Sequence, residues 1–308
     1  MTLIRFRPSS LRIPPKRMSE WIMLKIDGSM GEGGGQIVRS SLALSLVTGK
    51  PCLIENIRAG RKKPGLMRQH LTAVRAAAAI CDGEVEGATI GSTRIVFCSG
   101  KIAAGDYEFS VGTAGSATLV LQTILPALIV ADSPSTLVLE GGTHNPHAPP
   151  FDFVALAFLP ILCRLGAKVV AQLERPGFYP AGGGQIKVAI SPAVEFQELE
   201  LVERGEILKR HARAVVAHLP RHIAERECRT LAKLTGWADS CFDVHELRDS
   251  RGPGNVVVIE IESKHVTEVF TGFGEIGVRA EAVAEEAWDH AKRYIAAEVP
   301  VGEYLADQ

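Results

Sequence analysis

The feature that most constrains this chain is a duplication. Two successive stretches of about eighty residues follow one plan: strand, glycine-bearing turn, helix, strand, loop, proline, helix, strands. In the first, residues 23–27 alternate briefly and enter a glycine-rich turn at 28–35. Residues 36–46 then show helical apolar spacing that stops at Gly49. A strand at 52–57, a basic loop at 58–63, a helix opened by Pro64 and running to about Ile80, and strands over 85–98 broken by Gly87 and Gly91 complete the copy. In the second, a strand at 107–111, a turn at 112–116, an apolar helix at 117–131, a strand at 136–140 and a loop ending in Pro149 and Pro150 recur in that order. A helix over 151–165, closed by Gly166, and strands to about Ile190 follow. The expected fold class is therefore α/β (α+β), each copy laying two helices on one face of a sheet.

From about Val202 the chain carries more charge and fewer glycines. Strands are expected at 212–219, 256–262 and 266–270, with helices at 223–234 and 280–297. This reads as a separate α/β module inserted between residues 202 and 298. Residues 302–308 have the composition of a turn entering a helix and echo residues 115–122, as though a third copy begins there and is cut short. The expected layout is a basic, disordered N-terminal extension at 1–22, a first repeat at 23–100, a second repeat and the start of a third at 101–201, the insert at 202–298, and a truncated continuation of the third repeat at 299–308.

The formal net charge is -1, so any nucleic-acid contact must come from a local basic patch. No apolar run is long enough to span a bilayer, and no membrane association is expected. The six cysteines are scattered without a C-x-x-C pair, which reads as buried reduced thiols in a cytoplasmic protein. The basic N-terminus has no apolar h-region and is not a secretory signal. The sequence carries no signature of oligomeric state.

The turn Gly31-Glu32-Gly33-Gly34-Gly35-Gln36 sits between a strand and a helix, where glycines admit close backbone approach and free helix N–H groups favour an anion. It fits neither the P-loop nor the dinucleotide pattern, and a bare glycine run equally suits a tight turn without a ligand. Glu32 and Arg39 shift that balance. A carboxylate in an anion-binding turn calls for a divalent cation, and Arg39 can supply phosphate charge one helical turn further on. Arg58, Arg61, Lys62, Lys63 and Arg68 form the densest basic cluster, which is either a solvated face or a phosphate-binding loop. His144 and His147, like His218 and His222, lack a third ligand at zinc spacing. Neither H-E-x-x-H nor a Gly-x-Ser-x-Gly elbow is present.

These motifs together resemble the RNA 3′-terminal phosphate cyclase family. The resemblance rests on Asp27-Gly28 with GEGGGQIVR at 31–39, RAGRKKPG at 58–65 with Gln69-His70, Gly112 to Ser116, and residues 141–150. FYPAGGG at 178–184, PRHIAERE at 220–227, residues 252–255 and residues 301–308 extend it over nearly everything from Met23 onward. It implies a large domain of βαβαββ repeats, the third incomplete here, with a smaller inserted α/β domain. It also implies ATP with Mg2+ or Mn2+, and an RNA with a 3′-phosphate end as substrate. In such an enzyme a histidine takes AMP from ATP and passes it to the RNA 3′-phosphate, and the 2′-hydroxyl then closes a 2′,3′-cyclic phosphate.

By that resemblance Glu32 holds the metal, Gln36 and Arg39 line the phosphate site, and Arg58 and Arg61 meet the RNA end or the phosphates. Gln122, Pro149, Tyr304, Leu305, Ala306, Asp307 and Gln308 form the adenosine pocket, with Tyr304 and Pro149 sandwiching the base. The nucleophilic histidine is expected beyond Gln308, so no catalytic residue is assigned within the chain, and as it stands the chain is not expected to form the enzyme–AMP intermediate. A non-catalytic cyclase-like RNA-binding or ribosome-assembly factor is the alternative, against which the Tyr304 to Gln308 motif argues. The repeat-fold relative 5-enolpyruvylshikimate-3-phosphate synthase ranks lower, because GEGGGQ and RAGR belong to the cyclase pattern.

Overall fold

In a computed structural model, which describes residues 23–308, three four-stranded mixed sheets organise the chain. The basic extension expected at 1–22 lies outside the described residues. In the first sheet β1 (Leu24–Asp27) leads through α1 (Gln36–Thr48) to a parallel β2 (Cys52–Glu55), as a strand–helix–strand crossover requires. After α2 (Arg68–Ala79), β3 (Glu84–Glu86) and β4 (Ile95–Cys98) add antiparallel strands in the order β1-β2-β4-β3. The second sheet repeats this with β5 (Asp106–Ser110), α3 (Ala117–Leu128), β6 (Ser135–Gly141), a helical run, β7 (Lys168–Arg175) and β8 (Gly184–Ser191). Its order, β5-β6-β8-β7, and every strand sense match the first, so the duplicated plan is a duplicated topology.

Two helices differ from expectation for local reasons. The second helix starts at Arg68, not Pro64, because the chain before it is held extended: Gly65 has φ 78° and packs on the Gly91 backbone, while Leu66 exchanges hydrogen bonds with the 91–92 turn. The helix expected over 151–165 is α4 (Phe151–Phe153), a π-helical segment (Val154–Phe158) and α5 (Leu159–Arg164). Pro160 brings no N–H and its ring would crowd the Leu156 carbonyl; the wider π turn just before it accommodates both.

The third sheet holds β9 (Ile207–Ala217), β10 (Phe242–Leu247), β11 (Gly254–Ser263) and β12 (Thr267–Phe273) in the order β10-β9-β11-β12. α6 (His222–Thr235) runs between β9 and β10, and α7 (Ala280–Ala297) follows β12. Both faces of this sheet are covered. Val215, Val256, Val258 and Val269 join Phe153, Val154 and Ala157 in the main apolar core, whereas Val257, Ile259, Ile261 and Phe270 form a second core with α6 and α7. The module read from sequence as separate therefore shares its inner face with the duplicated units. The alternation of a strand explains how, since successive valines of β11 point to opposite cores. β10 escaped the sequence reading because an edge strand alternating Phe242, Val244 and polar residues gives little apolar signal. A last short helix, α8 (Glu303–Ala306), buries Leu305 against the main core.

Candidate functional site

Glycine-bearing turns lead into both α1 and α3, and the two helix starts are finished differently. At α3, Ser116 is the N-cap and its Oγ accepts the Leu119 N–H at 3.2 Å, so one free donor is satisfied from within the chain. At α1 the N-cap is Gly35, which has no side chain to offer, and the first N–H groups stay available. A serine could not stand there, because a Cβ at Gly35 would run into the His70 ring. The α1 terminus is thus kept uncapped by its neighbour, with its partial positive charge open to an anion.

His70 and Gln69, which open α2, clamp both turns. The Met67 N–H donates to His70 Nδ1 at 3.1 Å, which leaves Nε2 as the protonated nitrogen, turned toward Gly35. Burial, with Arg58 and Arg39 nearby, pulls the imidazole down to about 4, so the ring is neutral. Gln69 Oε1 accepts the Ser116 N–H at 3.1 Å. The sequence assigns this pair no role; the one signal for it is Gln69-His70 following the basic loop directly at a helix start.

Arg39 is partly buried, and burial lowers its guanidinium to about 10. Among the described residues it forms no ion pair; its Nε donates instead to Gln122 Oε1 at 3.3 Å, and Gln122 Nε2 donates to Gln308 Oε1 at 2.9 Å. A cation in this position without a carboxylate is suited to an incoming anion. Gln36 is exposed at the first turn of α1, beside the open N–H groups. One turn before Gln122 on α3, Thr118 Oγ1 donates to the Pro149 carbonyl at 2.7 Å. Because positions i and i+4 share a helix face, Pro149 and Gln308 flank the same side of α3.

Arg61 lies over the glycine turn, 3.6 Å from Glu32, and both side chains are solvated enough for the pair to contribute little stability. Among the described residues no cluster of three His, Cys, Asp or Glu could hold a metal by itself. Glu32, 95% exposed, is a lone carboxylate, a donor set that suits a Mg2+-like ion completed by phosphate oxygens and water. Arg58 has φ 55° and gives its NH1 to the carbonyls of Lys63 and Gly65 at 2.6 and 2.9 Å, shaping the basic loop from within. Tyr304 turns its hydroxyl to His290 Nδ1 at 2.7 Å, Leu305 is buried, and Ala306, Asp307 and Gln308 are exposed. The structure thus joins Arg39, Gln122 and Gln308 in one chain of hydrogen bonds and Glu32 with Arg61 in a second group. Pro149 stands near the first, and Tyr304 is engaged with α7.

Comparison with known proteins places the chain in a family. The family model described as RNA 3′-terminal phosphate cyclase matches residues 30–308. An RNA 3′-terminal phosphate cyclase of Koribacter versatilis (strain Ellin345) is 52% identical over 298 residues, covering 97% of this chain and 83% of the relative.

Proposed function

Because the chain belongs to the RNA 3′-terminal phosphate cyclase family, we propose that it converts an RNA 3′-phosphate into a 2′,3′-cyclic phosphate at the expense of ATP, through enzyme-histidine-AMP and RNA-adenylate intermediates. The observation that carries the reading is the α1 terminus without a side-chain cap, with Arg39, which forms no ion pair among the described residues, one turn further along the same helix, a combination suited to phosphate. Main-chain N–H groups of α1, with Arg39 and Gln36, hold the phosphates. The neutral His70 adds no charge beside Gly35 and leaves its Nε2–H for a phosphate oxygen to accept. Gln122, Gln308, Pro149 and the 304–307 segment receive the adenosine.

Arg61 and the solvated lysines of its loop meet the RNA end, while Arg58 keeps that loop in shape. Glu32 holds Mg2+ or Mn2+, which neutralises phosphate charge. A phosphate dianion is a poor electrophile; transfer of AMP to it provides a leaving group, and closure by the neighbouring hydroxyl is intramolecular. The nucleophile in this reading is a histidine C-terminal to Gln308. His70 does not serve, since its Met67 contact leaves Nε2 protonated.

A form extended past Gln308 to include that histidine is expected to take acid-labile label from α-labelled ATP and to cyclise an end-labelled 3′-phosphate RNA. Absence of both label and cyclic product would overturn the reading.

A further inference from the structure

We propose that the third sheet frames the nucleotide site, with Arg213 and Glu268 as positioning residues that each hold one of the two chain segments flanking α3. The inference rests on the reading of Pro149, Gln122 and Gln308 as nucleotide contacts.

The first segment is the loop from Thr143 to Pro150, which runs into α4. Asp152, three residues past Pro149, is largely but not wholly buried in the first turn of that helix. It accepts from His144 Nε2 at 2.9 Å and from the Arg213 guanidinium, which reaches out of β9. Thr143 Oγ1 lies 2.8 Å from His144 Nδ1, and the His144 ring stacks on Phe178. The loop is therefore closed on itself by Thr143, His144 and Asp152, and Arg213 fixes the closed loop to the third sheet. Burial works against the charge of Asp152, but His144 and Arg213 outweigh it and hold the carboxyl at about 2.

The second segment is Gly302 to Gln308. Its first N–H donates to Oε1 of Glu268, a wholly buried side chain on β12, whose other oxygen has no partner among the described residues. A Cβ at Gly302 would lie 3.2 Å from that carboxylate oxygen, a tight approach that would press on the carboxylate. From this anchor α8 carries Tyr304 to His290 and Gln308 to Gln122.

The two tethers converge. Thr118 and Gln122, one turn apart on α3, hold Pro149 and Gln308, and each of those segments is pinned at its far side to a different strand of the same sheet. Arg213 and Glu268 act through the backbone they hold, so they set the spacing of the site without entering it.

The test compares Arg213→Met and Arg213→Lys, and Glu268→Ala and Glu268→Gln, in the whole chain. ATP affinity is read by calorimetry, and amide hydrogen exchange at 143–150 and 302–308 by mass spectrometry. Arg213→Met and Glu268→Ala are expected to weaken ATP binding on the order of tenfold and to speed exchange in their own segment, since small misplacements of a site are costly. The Lys and Gln variants, which keep a donor and an acceptor, are expected to stay within about twofold of the parent chain. If Glu268→Ala fails to fold, Gly302→Ala, which crowds the carboxylate from the other side, carries the same expectation, and Asp152→Asn does so if Arg213→Met fails. Faster exchange with unchanged ATP affinity would overturn the proposal, reducing both contacts to docking of the sheet. No ATP binding by the unsubstituted chain would instead defeat the nucleotide reading beneath it, while the exchange data would still show whether the segments are held.

Discussion

Gly35 illustrates how a single side chain shapes the site from a distance. Serine is a better N-cap than glycine, so on helix propensity alone Gly35→Ser would stabilise α1. The His70 ring occupies the space its Cβ needs, and that ring is pinned by the Met67 N–H. The substitution is therefore expected to lower stability by about 1–3 kcal/mol, as overpacking does. Thermal melts should show the penalty shrinking in a His70→Ala background; an equal penalty in both backgrounds would mean that His70 is not what excludes the serine. Sequence conveyed that a glycine run at a helix start welcomes an anion. It could not convey that a histidine thirty-five residues later keeps the terminus open, because that contact depends on how α2 crosses α1. Arg58 is similar: its charge was visible, but its commitment to the carbonyls of Lys63 and Gly65 belongs to a loop conformation with φ 55° that no spacing reveals.

At the scale of elements, α6 is held to β11 by a buried polar contact. Glu227 is fully buried, and its Oε2 accepts from Asn255 Nδ2 at 3.0 Å while Oε1 has no partner among the described residues. Burial raises this carboxyl to about 7, against the pull of Asn255 and Arg226 and with Glu281 adding to the rise. A folded value above the unfolded one means that the native state binds the extra proton between about 4.5 and 7. The stability this contributes is complete below that window and is lost as pH rises through it. Glu227→Gln removes the charge, so its melting temperature is expected to exceed the parent's at pH 7.5 by more than at pH 5. A difference independent of pH would refute the assignment. The elements themselves were legible where periodicity was strong: α1, α3 and α7 came from apolar spacing and glycine stops. The delayed start of α2, the π segment before Pro160 and edge strand β10 depend on tertiary contacts or weak alternation, and the sequence pattern missed them.

Across the whole molecule, the duplicated topology could be read directly, because two copies with the same order of turns and helices leave few ways to pair their strands. The role of the third sheet could not. Its composition suggested an independent module, yet β11 feeds Val256 and Val258 to the main core and Val257 and Ile259 to the second. The candidate site is likewise a whole-molecule property: Arg39 comes from the first unit, Gln122 from the second, and Gln308 from the segment anchored by Glu268. Titrating ATP into the chain by calorimetry, with and without Mg2+, and repeating it with Arg39→Met, tests that convergence most directly. The expected result is binding strengthened by the metal and weakened on the order of 10- to 100-fold by the substitution, the range for a hydrogen bond to a charged group. Equal affinity for ATP in the parent and Arg39→Met chains would contradict the account.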